Sequence, residues 1–106
     1  MKTIKPYKFS REINGVQVKP LHESGMEVKI RYNGILSGSE TAPLIMHYGF
    51  GDSTEWRQTG DISMEKTLEG WETDIKMEDK QLNFCFHDFS YNWDNNNGYN
   101  WIYRIS

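Results

Sequence analysis

Apolar and polar residues alternate with a period of two in one stretch of this chain after another, and helical periodicity is nearly absent. In Met26-Glu27-Val28-Lys29-Ile30-Arg31-Tyr32 the alternation is unbroken: Met26, Val28, Ile30 and Tyr32 share one face, and Glu27, Lys29 and Arg31 the other. A strand with one buried face has this pattern. Trp71 to Met77 repeats it, as do Leu82, Phe84 and Phe86, then Tyr99, Trp101, Tyr103 and Ile105. Leu44, Met46 and Tyr48 oppose Ile45 and His47. Turn residues separate the runs: Ser37-Gly38-Ser39, Gly49 to Ser53, Gly60-Asp61, Glu69-Gly70, Glu78-Asp79 and an Asn-rich loop. Asn14-Gly15 suits a type I′ hairpin turn, and Asn33-Gly34 is a second turn signal. Met64 to Leu68 reads as a short helical turn ended by Gly70. Short strands with regular punctuation predict an all-β, antiparallel β-sandwich of about seven or more strands. Its expected core is Val28, Ile30, Tyr32, Leu44, Met46, Ile75, Leu82, Phe84 and Phe86.

A length of 106 residues implies a single domain over 1–106. One cysteine, Cys85, excludes an internal disulfide and a multi-cysteine zinc site. A net charge of −3 argues against a nucleic-acid partner, which selects a clustered basic surface. No apolar run approaches the roughly 18 residues of a spanning helix, so no membrane role is expected. Met1-Lys2-Thr3-Ile4-Lys5-Pro6 lacks the apolar stretch of a signal peptide. The expected location is cytoplasmic, or extracellular where a leader has been removed.

The inward faces fill a core of this size, and Trp56 and Trp93 are left over. Both sit in polar, turn-rich loops: Asp52-Ser53-Thr54-Glu55-Trp56-Arg57-Gln58 and Tyr91-Asn92-Trp93-Asp94-Asn95. A Trp in such a loop is either a lid on the sandwich or an exposed platform for stacking a ligand. His47 lies on the polar face of its strand, which ends where the Trp56 loop begins. One imidazole and two indoles can thus share a sheet face and its rim. An enzyme reading rests on Cys85, His87 and Asp88, because Cys85 and His87 share a strand face as a thiol–imidazole pair would. No oxyanion element accompanies them; His87 is equally explained as a solvated strand residue and Cys85 as a small hydrophobe. Asp and Asn oxygens in the Asn-rich loop are hard ligands, but their spacing does not match a calcium loop, and no metal or cofactor is expected.

An ordered set of motifs resembles a known family. Ile45-Met46-His47-Tyr48-Gly49 is followed by Trp56, Asp61-Ile62-Ser63-Met64, Gly70-Trp71, Leu82-Asn83-Phe84-Cys85-Phe86-His87-Asp88 and Trp93-Asp94-Asn95-Asn96-Asn97-Gly98. The set, over about 26–105, resembles the starch-binding carbohydrate-binding modules of families 25 and 53. Residues 1–25 fall outside it, as an N-terminal extension or an extra hairpin. The resemblance implies an immunoglobulin-like β-sandwich that binds α-1,4-glucans (starch, glycogen, maltooligosaccharides) without cleaving them. The matching ligand residues would be Trp56, Trp93 and His47, with Asn95 and Asn96 in support. The loop between His47 and Trp56 varies among such modules. These modules usually accompany an amylolytic or glycogen-metabolising enzyme, which becomes the expected partner.

The residues suit that chemistry independently. An indole covers the C–H face of a pyranose; at about 25 cal/mol/Å² over roughly 50 Å², one stack contributes on the order of 1–1.5 kcal/mol. His47, the Asn amides and Arg57 or Gln58 can meet the hydroxyls, with modest net gain because water competes. Inclined platforms follow the curved α-1,4 chain, whereas a flat β-1,4 chain needs a flat row. Exposed Trp and Tyr also make protein hot spots, so the alternative is a protein-interaction module of the same fold.

Overall fold

The computed structural model describes residues 8–38 and 43–105. Residues 1–7, and Ser39 of the Ser37-Gly38-Ser39 turn, lie outside them. Nine strands follow in chain order: β1 (Val16–Pro20), β2 (Glu27–Tyr32), β3 (Ile45–Phe50), β4 (Arg57–Ser63), β5 (Glu65–Thr67), β6 (Gly70–Lys76), β7 (Gln81–His87), β8 (Trp93–Asp94) and β9 (Trp101–Arg104). Every pairing is antiparallel. One sheet has the order β1-β2-β6-β5; the other runs β4-β3-β7-β8, with β9 also on β7. Read as A, B, C, C′, D, E, F and G, with β8 and β9 sharing the last place, this is the immunoglobulin arrangement with one strand added beside C.

The nine expected core residues are all buried, none more than 7% exposed. They pack between the sheets with Phe50, Met64, Met77, Trp71 and Trp101. Tyr32 lies 4.2 Å from Phe86, centroid to centroid, and Trp101 packs on both. The Asn14-Gly15 turn is present, with φ of 49° and 93° and an Ile13–Val16 bridge. Both positive angles are what a type I′ turn requires.

Several local expectations fail. Gly60-Asp61 is not a turn but lies within β4, paired to Tyr48 and His47, and Tyr99 stands 80% exposed in the loop before β9 and not on that strand's face. Met26 is 47% exposed, because β2 starts only at Glu27, after a left-handed turn at Gly25. Met64 to Leu68 is not helical: Glu65–Thr67 is β5, and it turns tightly into β6. The Thr67 hydroxyl accepts from Glu69 N–H and donates to the Gly70 carbonyl, while Met64 N–H is held by the Leu44 carbonyl. These bonds fix an extended chain where local composition suggested a helical turn.

Candidate functional site

The outward face of β4-β3-β7-β8 carries the candidate site, and strand register builds it. Asp61 on β4, His47 on β3 and Cys85 on β7 are direct cross-strand partners. Ile45, His87 and Trp93 form the neighbouring row over β3, β7 and β8. Side chains in successive rows on one face are within reach of each other.

The rings meet accordingly. His47 stacks on Trp56 at 5.7 Å between centroids and 26° between planes. It meets Trp93 edge-on, at 5.8 Å and 89°. His87 packs under Trp93 at 4.4 Å and against Tyr91 at 5.2 Å, nearly parallel. The three expected residues His47, Trp56 and Trp93 are thus brought together. Trp93 is about half exposed and Trp56 partly so.

Each ring is held from below or behind. Trp56 lies over Gly49, where a Cβ would sit 2.6 Å from the Trp56 Cβ, and its Nε1–H donates to the Ser53 carbonyl at 2.9 Å. Within that loop the Thr54 N–H and hydroxyl both donate to Asp52 Oδ1, backbone bond foremost, and hold this carboxyl below its ordinary range. Buried Asn83 donates to the Gly49 and Gly51 carbonyls and so ties the loop base to β7. Trp93 and Asp94 point to opposite sides of β8. Asp94 Oδ2 accepts from the buried Tyr32 hydroxyl at 2.6 Å, which anchors the strand beneath Trp93. Burial, reinforced by that hydrogen bond, raises the Tyr32 phenol above its ordinary value.

Asp61 Oδ1 lies 2.8 Å from His47 Nδ1 and 3.9 Å from His87 Nε2. A carboxylate only accepts, so this contact places a proton on His47 Nδ1; in the neutral imidazole Nε2 is then the acceptor open to a hydroxyl. His87 Nδ1 donates to the Asp88 carbonyl at 2.9 Å. His87 is 5% exposed, so it is not the solvated residue its alternation suggested. Trp93 and Tyr91 close over it.

Asn95 and Asn96 have structural duties in their loop. Asn95 Oδ1 accepts from Gly98 N–H; Asn96, at φ 57°, donates to the Asn100 carbonyl and accepts from Asn14. Asn96 faces a cleft of about 460 Å³ shared with Asn14, Asn33 and Asp94. Arg57 is paired with Asp79 at 2.9 Å, and Gln58 borders a second cleft, of about 590 Å³, at the β4–β6 seam. That larger cleft lacks the aromatic cluster. The aromatic cluster lies on an exposed sheet face, apart from both clefts.

The thiol–imidazole reading fails on the thiol. Burial, aided by the charges of Asp61 and Asp94, pushes Cys85 up to about 11. A nucleophilic cysteine needs the opposite shift. No group of three or more His, Cys, Asp or Glu residues able to hold a metal occurs among the described residues.

The starch/carbohydrate-binding module (family 53) matches residues 28–84, more than half of the chain. The chain belongs to that family. The match takes in Asp61, His47 and Trp56 and ends in β7 before Trp93. This family 53 module is also similar to an α-amylase from Clostridium acetobutylicum, 34% identical over 89 residues. The alignment covers 81% of the module and 11% of the α-amylase, so the module corresponds to a small part of that protein. No solved structure matches the chain. Sequence reasoning did not single out Asp61, Asn83 or Tyr91 as neighbours and supports of the ring cluster, because those contacts arise from cross-strand register and loop closure.

Proposed function

We propose that this starch-binding module holds α-1,4-glucans on the face formed by Trp56, His47 and Trp93, and that it does so without cleaving them. The observation that carries the reading is the angle between the platforms. The 89° between His47 and Trp93, less the 26° between His47 and Trp56, leaves the two indole planes at least 63° apart. A flat β-1,4 chain cannot lie on both indoles; a curved α-1,4 chain can. His47 Nε2 and the Trp93 indole N–H, which has no partner among the described residues, offer one acceptor and one donor to sugar hydroxyls.

Two stacks and a few water-competed hydrogen bonds set Kd at roughly 10 μM to 1 mM, about −4 to −7 kcal/mol. Likeness to part of an α-amylase supports a role beside an amylolytic enzyme, delivering it to polymer. The test is titration with maltoheptaose and cellohexaose, followed by Trp fluorescence. Maltoheptaose should quench and cellohexaose should not; equal responses would refute the α-glucan reading. Reducing sugar released from starch by the pure protein would refute the non-catalytic one.

A further inference from the structure

We infer that Tyr91 is an additional sugar platform, extending the glucan site by one subsite beyond Trp93; this rests on the glucan reading above. The rings form one uninterrupted series: Trp56, His47, Trp93, His87, Tyr91. His87 is the buried link between the last two exposed rings. Tyr91 lies 9° from parallel to His87 and is 71% exposed, so one ring face is supported and the other is open.

The backbone shows that this placement is imposed. Tyr91 has φ 61°, in the left-handed region that a bulky residue rarely enters. Such outliers persist only where the surroundings over-determine them. Here Asp88 does so. Its Oδ1 accepts from Ser90 N–H and Asn92 N–H, its Oδ2 from the Asn92 amide, and its carbonyl from Tyr91 N–H. The Asp88 N–H in turn donates to the Asn92 carbonyl. These bonds, those from Asn92 foremost, hold the Asp88 carboxyl below the usual carboxylate range, so the clasp is closed at neutral pH. An aromatic ring fixed in the open, one buried imidazole away from Trp93, is already ordered for stacking and loses little entropy on binding. Phe89, in the same loop, is 65% exposed but makes no ring contact among the described residues, which gives an internal control.

The experiment is calorimetric titration of the whole chain and its Tyr91→Ala, Tyr91→Phe and Phe89→Ala variants with maltotriose and maltoheptaose. Losing one stacking face should weaken maltoheptaose binding about 5- to 10-fold. Maltotriose, short enough for the Trp56–His47–Trp93 face alone, should change less than about twofold on the same scale. Tyr91→Phe and Phe89→Ala should bind both sugars like wild type, since stacking uses the ring face and Phe89 lies off the series. Unchanged maltoheptaose binding by Tyr91→Ala overturns the inference. Equal weakening for both sugars also overturns it, because Tyr91 would then only brace His87 and Trp93. An equal loss in Phe89→Ala would assign the effect to the loop as a whole and overturn it too. Wild type binding neither sugar refutes the glucan reading itself, and the extra subsite with it.

Discussion

Gly49→Ala should displace Trp56 while leaving the sandwich folded. An added methyl would meet Trp56 Cβ at 2.6 Å, Trp56 Cε3 at 2.9 Å and Thr59 Cγ2 at 3.0 Å. Ordinary carbon contacts begin near 3.5 Å, so the indole must retreat by about 1 Å. The stack on His47, now at 5.7 Å, is then lost or tilted, and with it one of the two sugar platforms. One stack is on the order of 1–1.5 kcal/mol, so maltoheptaose affinity should fall about 5- to 10-fold. Overpacking costs about 1–3 kcal/mol, and replacing a strand glycine by alanine returns roughly 0.5–1, so the net stability loss is at most about 2.5 kcal/mol. Calorimetric titration alongside a thermal melt reads both terms. Gly38→Ala is the control, since nothing lies within 4 Å of its added methyl. Wild-type affinity in folded Gly49→Ala would mean that Trp56 contributes no platform.

Trp93→Ala should weaken glucan binding by about 1–1.5 kcal/mol with little change in Tm. Trp71→Ala, which empties a buried site, should cost about 3–5 kcal/mol of stability instead; titrations and melts that show the reverse would put the site on the wrong indole. Asp61→Ala frees His47 Nδ1 and should cost about 0.5–1.5 kcal/mol of affinity with only a small stability change, because Asp61 is exposed; unchanged affinity would remove Asp61 from the site. The Cys85 thiol is raised from 9.0 to about 11, so between those pH values the unfolded chain binds fewer protons than the folded one. Stability should therefore fall as pH rises through that window, and urea midpoints of Cys85→Ala should fall less steeply. The remaining slope belongs to the Tyr32 and Tyr103 phenols, both also raised; an identical slope in Cys85→Ala would refute the burial argument.

The faces of the sandwich were legible because period-two alternation is local. Each of β2, β3, β6 and β7 declares its inward side within six or seven residues. Errors fall where a strand ends or where a tertiary bond overrides composition. Met26 continues the alternation by one residue past the true start of β2. In Met64 to Leu68, three strand residues are fixed by β6 and by the Leu44 carbonyl, neither visible in the segment itself.

The site was legible to a different depth at each residue. Trp56 and Trp93 stood out as large rings left over from the core in polar, turn-rich segments, and His47 as the polar-face residue beside one of them. Asp61 and His87 had no such mark. Their place depends on the sheet order β4-β3-β7-β8, which aligns residues 61, 47 and 85 in one row and 45, 87 and 93 in the next. Alternation put His87 on the outer face correctly and implied solvent there. What buries it is the return of the chain at Asp88, which lays Tyr91 against the imidazole while β8 brings Trp93 onto it. A ring-on-ring layer on an outer sheet face adds nothing to the inter-sheet core. It braces the Trp93 end from beneath with a strand residue, where the Trp56 ring rests on Gly49, the His47 stack and the hydrogen bonds of its own loop. The two ends of the glucan site should therefore differ in tolerance. Loop changes around Ser53 should alter affinity through Trp56, whereas the Trp93 ring itself should be displaced only by changes that also disturb β7 or β8.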